Sequence, residues 1–302
     1  MTLANLLAKY SERRARGNRA LFNCGQFLTG LLGFMALGAM TLPVATAADL
    51  AEIRERGYII VGVKDNLRPL GFRNAAGQLE GLEIDLARQI AQDILGNAEA
   101  ITLQPLTNSN RIPALLADEV DLVIARVTAT PSRARLVDFS TPYYLDGTTF
   151  IARSALTLKD LQQQSIAVLN GSETIAVVRS RFPQARLVGV DSYEAAQELL
   201  EANQVSAFAA DATVLTGWVQ EFPQYYLLPQ LVSTAALAVA MPRGLQYEDL
   251  RQRVNGAIIN WQAQGFLRQS ILNWGLPAEG IPALRINLGQ ETPQRTELAP
   301  NL

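Results

Sequence analysis

The stretch DLVIARVTATPSRARLVDFSTPYY, residues 121–144, changes its chemistry within a dozen positions. Leu122, Val123, Ile124 and Ala125 form an unbroken apolar run, the pattern of a strand buried on both faces. Arg126, Thr128, Thr130 and Arg133 follow within eight residues. A core strand that ends this way leads either into a solvated turn or into a socket for an anion. Thr130-Pro131-Ser132-Arg133 reads as a helix start, with a hydroxyl N-cap and proline in the first position. A helix N-terminus presents unpaired N–H groups and a partial positive charge. Arg133 can add a planar donor pair matched to a carboxylate, and Thr128 a hydroxyl from the strand end. On spacing alone, a surface arginine beside an ordinary cap fits equally well.

The flanking sequence supplies the sheet around this strand. A short helix at 50–56 precedes the apolar strand YIIVGV, 58–63. LEIDLARQIAQDIL, 82–95, spaces Leu82, Leu86, Ile90 and Ile94 four apart, as an amphipathic helix entered through Gly81. AITLQPL reads as a strand and NRIPALLAD as a short helix. The pattern then restarts: strand at 148–153, short helix, strand at 165–170, helix, strand at 185–190, helix at 192–203 and strand at 205–211. AALAVAM, 235–241, reads as one more strand, and 247–274 as terminal helices. Strands alternating with helices predict an α/β fold with largely parallel sheets. No short tandem repeat appears, but the two βα sets are similar in size and predict two lobes.

Two further spots suit a charged ligand. In NGSETIAVV, 170–178, Gly171 permits an unusual backbone angle and Ser172 can cap the next helix. Glu173 repels an anionic ligand there, or simply complements the helix dipole. Asp211 ends the apolar strand VSAFAA, and the C-terminal edge of such a strand is where α/β sheets bind ligands. It can take an ammonium group or merely cap the helix that follows.

Composition narrows the chemistry. The chain has 302 residues, 49% hydrophobic and 18% charged, in the range of an ordered globular protein. Residues 1–47 carry Lys9, Arg13, Arg14, Arg16 and Arg19, then the apolar run FLTGLLGFMALGAMTLPV (27–44) and ATA (45–47). A basic segment, an apolar segment and a small-x-small site predict a signal peptide cleaved after Ala47, with an uncleaved anchor as the alternative. Cys24 follows Asn23 and precedes most of the apolar run, which argues against lipidation. Cleavage leaves 255 residues without cysteine, so no disulfide can form. Residues 1–47 hold five of the 26 Lys and Arg and one of the 28 Asp and Glu, so their removal moves the formal charge from −2 to −6. An acidic export product is a poor binder of nucleic acid or anionic membrane. The chain has no histidine, which excludes Ser-His-Asp and Cys-His catalysis and leaves no ordinary zinc site.

In this order and spacing, YIIVGVKDNLRPLGFRNAAGQLEGLEIDLARQIA, NRIPALLADEVDLVIARVTATPSRARLVDFSTPYY, GSETIAVV and AFAAD resemble the extracytoplasmic amino-acid-binding proteins of ABC importers, solute-binding protein family 3. The resemblance runs from about Leu50 to Trp274. It implies a two-lobed, periplasmic-binding-protein-like (type II) α/β fold with a ligand cleft between lobes that close by a hinge. The expected organisation is a signal peptide at 1–47, lobe 1 at 48–152, lobe 2 at 153–236, a return segment to lobe 1 at 237–278 and a disordered tail at 279–302. By position, Arg133 matches the arginine that clamps the ligand α-carboxylate, Thr128 a contacting hydroxyl, and Asp211 the acid that takes the α-ammonium. Ser172 and Glu173 match a second-lobe helix start that also touches the carboxylate, although the family more often has Thr than Glu at 173. Leu67 stands where many members stack an aromatic on the ligand.

Within the resemblance, Lys64 occupies a position that is basic in members binding glutamate and aspartate, and Arg111 of NRIP also resembles that subgroup. Arg126 adds a charge where small residues are common. Lys64, Arg111, Arg126 and Arg133 against Asp211 and Glu173 give the cleft a net charge of about +2, which fits glutamate or aspartate. If Lys64 and Arg126 pair with Glu173 instead, the site favours glutamine or another neutral solute. Asp85, Tyr143 and Tyr144 read as structural. The function implied is capture of a polar amino acid, most readily glutamate or aspartate, by a periplasmic monomer that needs no cofactor or metal and delivers its solute to an ABC permease in the inner membrane. The enzymatic alternative is a cyclohexadienyl (prephenate/arogenate) dehydratase on the same fold, with a buried Glu173 as general acid.

Overall fold

The computed structural model describes residues 48–283, so the expected signal peptide and the chain from 284 onward lie outside the described residues. Asp49 opens the fold as an N-cap: its Oδ1 accepts the N–H groups of Ala51 and Glu52 at 2.8 and 2.9 Å, while its own N–H donates to Glu52. Helix α1 (Leu50–Arg56) leads into strand β1 (Ile59–Val63) and a small antiparallel flap of β2 (Asn66–Leu67), β3 (Gly71–Arg73) and β4 (Leu79–Glu80). Then come α2 (Leu82–Leu95), β5 (Ile101–Pro105), α3 (Arg111–Leu116), β6 (Leu122–Ile124) and β7 (Asp138–Phe139). The second half holds β8 (Tyr144–Asp146), β9 (Thr148–Ala152), β10 (Ser165–Leu169), α4 (Thr174–Arg181), β11 (Arg186–Val190), α5 (Tyr193–Glu201), β12 (Ala207–Asp211), α6 (Ala212–Glu221) and β13 (Tyr226–Leu227). The chain returns through β14 (Ala235–Leu237), β15 (Ala240–Met241), α7 (Glu248–Gln264) and α8 (Phe266–Asn273).

Two five-stranded sheets result, ordered β5-β1-β6-β15-β7 and β11-β10-β12-β9-β13. Each keeps three parallel strands, as the βα alternation predicts, and adds two strands across antiparallel pairings that the alternation does not show. Each sheet has its own apolar clusters, and among the described residues no cluster mixes residues of the two. On α2 the stripe Leu82, Leu86, Ile90 and Ile94 is buried against the first sheet, together with Ile84, Ala87 and Ala91. Burying each large aliphatic side chain contributes roughly 1.5–3 kcal/mol, so this face fixes the helix. The start of α2 is fixed by its backbone: Leu82 and Glu83 donate to the carbonyls of Pro69 and Leu70 at 2.9 and 2.8 Å. Gly81 is required there, at φ +130°, because a Cβ would strike the Leu70 carbonyl.

The two lobes are joined by a ribbon in which β8 pairs antiparallel with β14, Tyr144 opposite Leu237 and Asp146 opposite Ala235. This corrects two boundaries. Strand 148–152 belongs to the second lobe, because Thr148–Ile151 pair with Phe208–Asp211, so the chain crosses at Asp146–Gly147 rather than after 152. AALAVAM is two strands, one in the ribbon and one in the first sheet. The first residues of the expected tail are structured: Ala278–Gly280 form a turn against Tyr144, whose hydroxyl donates to Pro277, and Ile281 packs on the first core.

Asp146 locks the crossing. It is 1% exposed; its Oδ1 accepts from Gly147 N (2.8 Å) and Thr213 N (3.1 Å), and its Oδ2 from the Thr213 hydroxyl (2.6 Å). It therefore caps α6 from another element. Replacing Asp146 with Ala strands buried donors at about 1–3 kcal/mol each, so urea unfolding should show a loss of at least about 2 kcal/mol. A loss below about 0.5 kcal/mol would contradict this role.

Candidate functional site

Where β6 and β12 end, the lobes face each other across a cleft of about 570 Å³. Arg111, Arg126, Thr128, Thr130 and Arg133 line it from the first lobe, and Ser172, Glu173, Thr174, Tyr193 and Asp211 from the second. The socket predicted from residues 121–144 thus faces the two spots predicted from the second half of the chain.

Asp211 does not cap its own helix: it occupies the N-cap position of α6 but makes no side-chain cap bond. Asp146 supplies that bond, and the Asp211 carboxylate pairs with the Arg126 guanidinium across the cleft. The Arg126 backbone is held on both sides. Its N–H donates to Glu83 Oε1 at 2.7 Å, and its carbonyl accepts Arg111 Nη1 at 2.6 Å. Its φ of +49° is a left-handed conformation that costs a side-chain-bearing residue roughly 1–2 kcal/mol.

Arg133 reaches back so that its Nη1 donates to the Thr128 carbonyl at 3.0 Å. The turn it opens is a three-residue 3-10 segment, Arg133–Arg135, rather than the expected α-helix, although the Thr130 hydroxyl does accept the Arg133 N–H at 3.4 Å. The helix-dipole argument therefore lapses, and what remains is the guanidinium. Ser172 also departs from expectation. Helix α4 begins at Thr174 with Glu173 in the cap position, and the buried Ser172 Oγ has no partner among the described residues. Glu173 is exposed and pairs with neither Lys64 nor Arg126.

Lys64 is the clearest correction. It is 5% exposed, does not line the cleft, and its ammonium donates to the Leu106 carbonyl at 2.9 Å. Burial lowers its pKa, with Arg111 adding to the effect. Arg111 does line the cleft, but its Nη1 is committed to the carbonyls of Ala125 and Arg126. Burial, then the guanidinium groups of Arg126 and Arg133, lower Arg111 to about 10. Without Lys64 the charged walls hold three cations against Asp211 and Glu173, a formal net of +1 rather than +2. Leu67 lines a neighbouring crevice of about 310 Å³ with Trp218, and Tyr193 borders both spaces. The aromatic wall of the cleft is therefore Tyr193, which opens α5 and which the sequence reading passed over.

Glu83 is the other residue that reading missed. It is fully buried, and its Oε1 accepts the Tyr143 hydroxyl at 2.5 Å as well as the Arg126 N–H. Burial holds the Tyr143 phenol well above its usual value, so the phenol is the donor. An acid at 83, between the buried Leu82 and Ile84, was the available signal. Asp85, read as structural, accepts the Trp274 indole N–H at 2.7 Å, and both Tyr143 and Tyr144 pack in the first core.

A two-stranded connecting ribbon, two sheets with separate cores and a polar cleft between them define a two-lobed binding protein. The sequence matches the family described as bacterial extracellular solute-binding proteins, family 3, over residues 59–277, and the chain belongs to that family. It is 27% identical over 230 residues to the ABC transporter glutamine-binding protein GlnH of Bacillus subtilis, covering 74% of this chain and 84% of that one. It is 32% identical over 189 residues to a glutamine-binding protein of Geobacillus stearothermophilus, covering 61% and 72%. A solved structure of the L-cysteine solute receptor of Neisseria gonorrhoeae superposes with a TM-score of 0.62 at 27% identity, covering 77% of this chain and 96% of that one. Among the described residues no helix is long and apolar enough to cross a membrane.

Burial pushes the Glu83 carboxyl up, against the opposing pull of its bonds from Tyr143 and Arg126. An acid raised on folding contributes stability that is complete below its unfolded value near 4.5 and is lost as pH rises through the folded value. Unfolding free energy should therefore fall from pH 5 to pH 8 more steeply in the wild type than in Glu83→Gln, which cannot ionise. Parallel curves would show that Glu83 has no raised pKa.

Proposed function

We propose that this protein is the extracytoplasmic receptor of an ABC importer and that it captures an amino acid with an acidic side chain, glutamate or aspartate. The observation that carries this reading is the charge arrangement of the cleft: Arg111, Arg126 and Arg133 on one lobe, with Asp211, Glu173 and a Ser172 hydroxyl that has no partner among the described residues on the other. Arg133, with one nitrogen on Thr128, has donors left for an α-carboxylate, and Ser172 and Thr128 complete its surround. Asp211 takes the α-ammonium. A net cleft charge of +1 matches a solute of net −1.

The permease in the inner membrane reads the closed form, reached by rotation about the β8–β14 ribbon. Export through residues 1–47 places the receptor in the periplasm, where it acts as a monomer. The enzymatic alternative needs a buried carboxylic acid at 173, and Glu173 is exposed, so the geometry favours binding without chemistry.

Thermal unfolding of residues 48–302 against the common amino acids should show an upward shift with glutamate or aspartate. At about 100 times the dissociation constant a ligand adds roughly 2.7 kcal/mol, a few degrees for a chain of this size. Arg133→Ala should abolish the shift, because an unpaired buried carboxylate costs about 2–5 kcal/mol. If Arg133→Ala leaves affinity within about twofold, the carboxylate is not held there.

A further inference from the structure

Arg126 occupies the place where the proposed function puts the ligand's ammonium. Its guanidinium pairs with Asp211 although the two residues lie 85 apart in sequence and on opposite lobes. The pair is largely shielded, with the Arg126 side chain 17% and the Asp211 side chain 32% exposed. Arg126 Nε is buried with no partner among the described residues, so the head group still has a donor to offer. The backbone cannot follow the head group away, because Glu83 and Arg111 hold its N–H and carbonyl. Only the side chain is free to change partner.

We propose that Arg126 is the specificity-determining residue of the cleft and that it works by exchanging counter-ions. This rests on the amino-acid reading above. The ligand's α-ammonium displaces the guanidinium from Asp211, and the released guanidinium takes the ligand's side-chain carboxylate. Glutamate or aspartate then has each of its own charges partnered: α-carboxylate on Arg133, ammonium on Asp211, side-chain carboxylate on Arg126. Glutamine breaks the same pair but returns only a neutral carboxamide oxygen, so a shielded cation goes without its counter-ion. A dicarboxylate without an ammonium, such as 2-oxoglutarate, leaves Arg126 on Asp211 and finds no cation released for its second carboxylate. The site thus demands both an ammonium and a second carboxylate, although the cleft presents only one anion–cation pair to the unbound solute.

The test is calorimetric titration of the wild type, Arg126→Gly and Arg126→Gln with glutamate, glutamine and 2-oxoglutarate. Glycine relieves the left-handed backbone at 126 and keeps the N–H to Glu83, so the variant is expected to fold. Glutamine keeps the length of the side chain and loses only its charge. The wild type should bind glutamate at least about 30-fold more tightly than glutamine, equivalent to roughly 2 kcal/mol at 1.4 kcal/mol per tenfold. Both variants should shrink that ratio below about threefold, with glutamate weakened and glutamine unchanged or improved. A ratio that survives in both variants, a wild type that prefers glutamine, or 2-oxoglutarate binding as tightly as glutamate each overturns the exchange. The first and third results leave the proposed function standing, because Arg133→Ala tests it separately; a preference for glutamine leaves an amino-acid receptor but removes its acidic solute. If the wild type binds no amino acid, both fail together.

Discussion

The ion pair between Arg126 and Asp211 is the contact on which the rest of the molecule turns. Among the described residues the two lobes keep their apolar clusters to themselves, so no shared hydrophobic core there holds them in register. What spans the gap is polar: this pair, a longer Arg68–Glu221 pair at 3.5 Å, and a Gln220 amide that donates to the Trp274 carbonyl at 2.9 Å. Gly217 also lets α6 press on the Arg68 carbonyl, where a Cβ would collide. Of these contacts, only the Arg126–Asp211 pair lies in the walls of the cleft. On the proposed reading, a solute entering the cleft competes with a contact the protein makes to itself.

Each partner is delivered by a separate arrangement. Arg126 emerges from the end of β6, pinned between Glu83 and Arg111, and Tyr143 holds Glu83 from the far side. Burying that acid is costly, and the raised pKa of Glu83 records the cost. Asp211 emerges from the end of β12, where an aspartate would ordinarily cap the following helix. Asp146 performs the capping from the connecting ribbon, which leaves Asp211 free to face the other lobe. The residue that secures the crossing between lobes is thus the residue that makes the cleft carboxylate available.

Much of this was legible in the sequence, where the cause was local. The four-residue spacing on 82–95 gave α2 residue for residue, and apolar runs bounded by turns located the parallel strands. Thr128, Arg133, Ser172, Glu173 and Asp211 all came to one cleft, because strand ends in α/β sheets share an edge. The failures were at long range. Nothing in 148–152 shows that it pairs antiparallel with 208–211, so the lobe boundary was misplaced. Lys64 was counted as a cleft cation because charge does not reveal direction, and its ammonium turns to the Leu106 carbonyl instead. The Arg126–Asp211 pair and the Asp146 cap join positions 85 and 67 apart, beyond any periodicity.

The central claim is that a bound solute takes Asp211 from Arg126. The direct measurement is a crystal structure of residues 48–302 grown with glutamate. The account predicts the ligand ammonium on Asp211, its α-carboxylate on Arg133 and the Arg126 guanidinium on its side-chain carboxylate. A bound ligand beside an intact Arg126–Asp211 pair would contradict it.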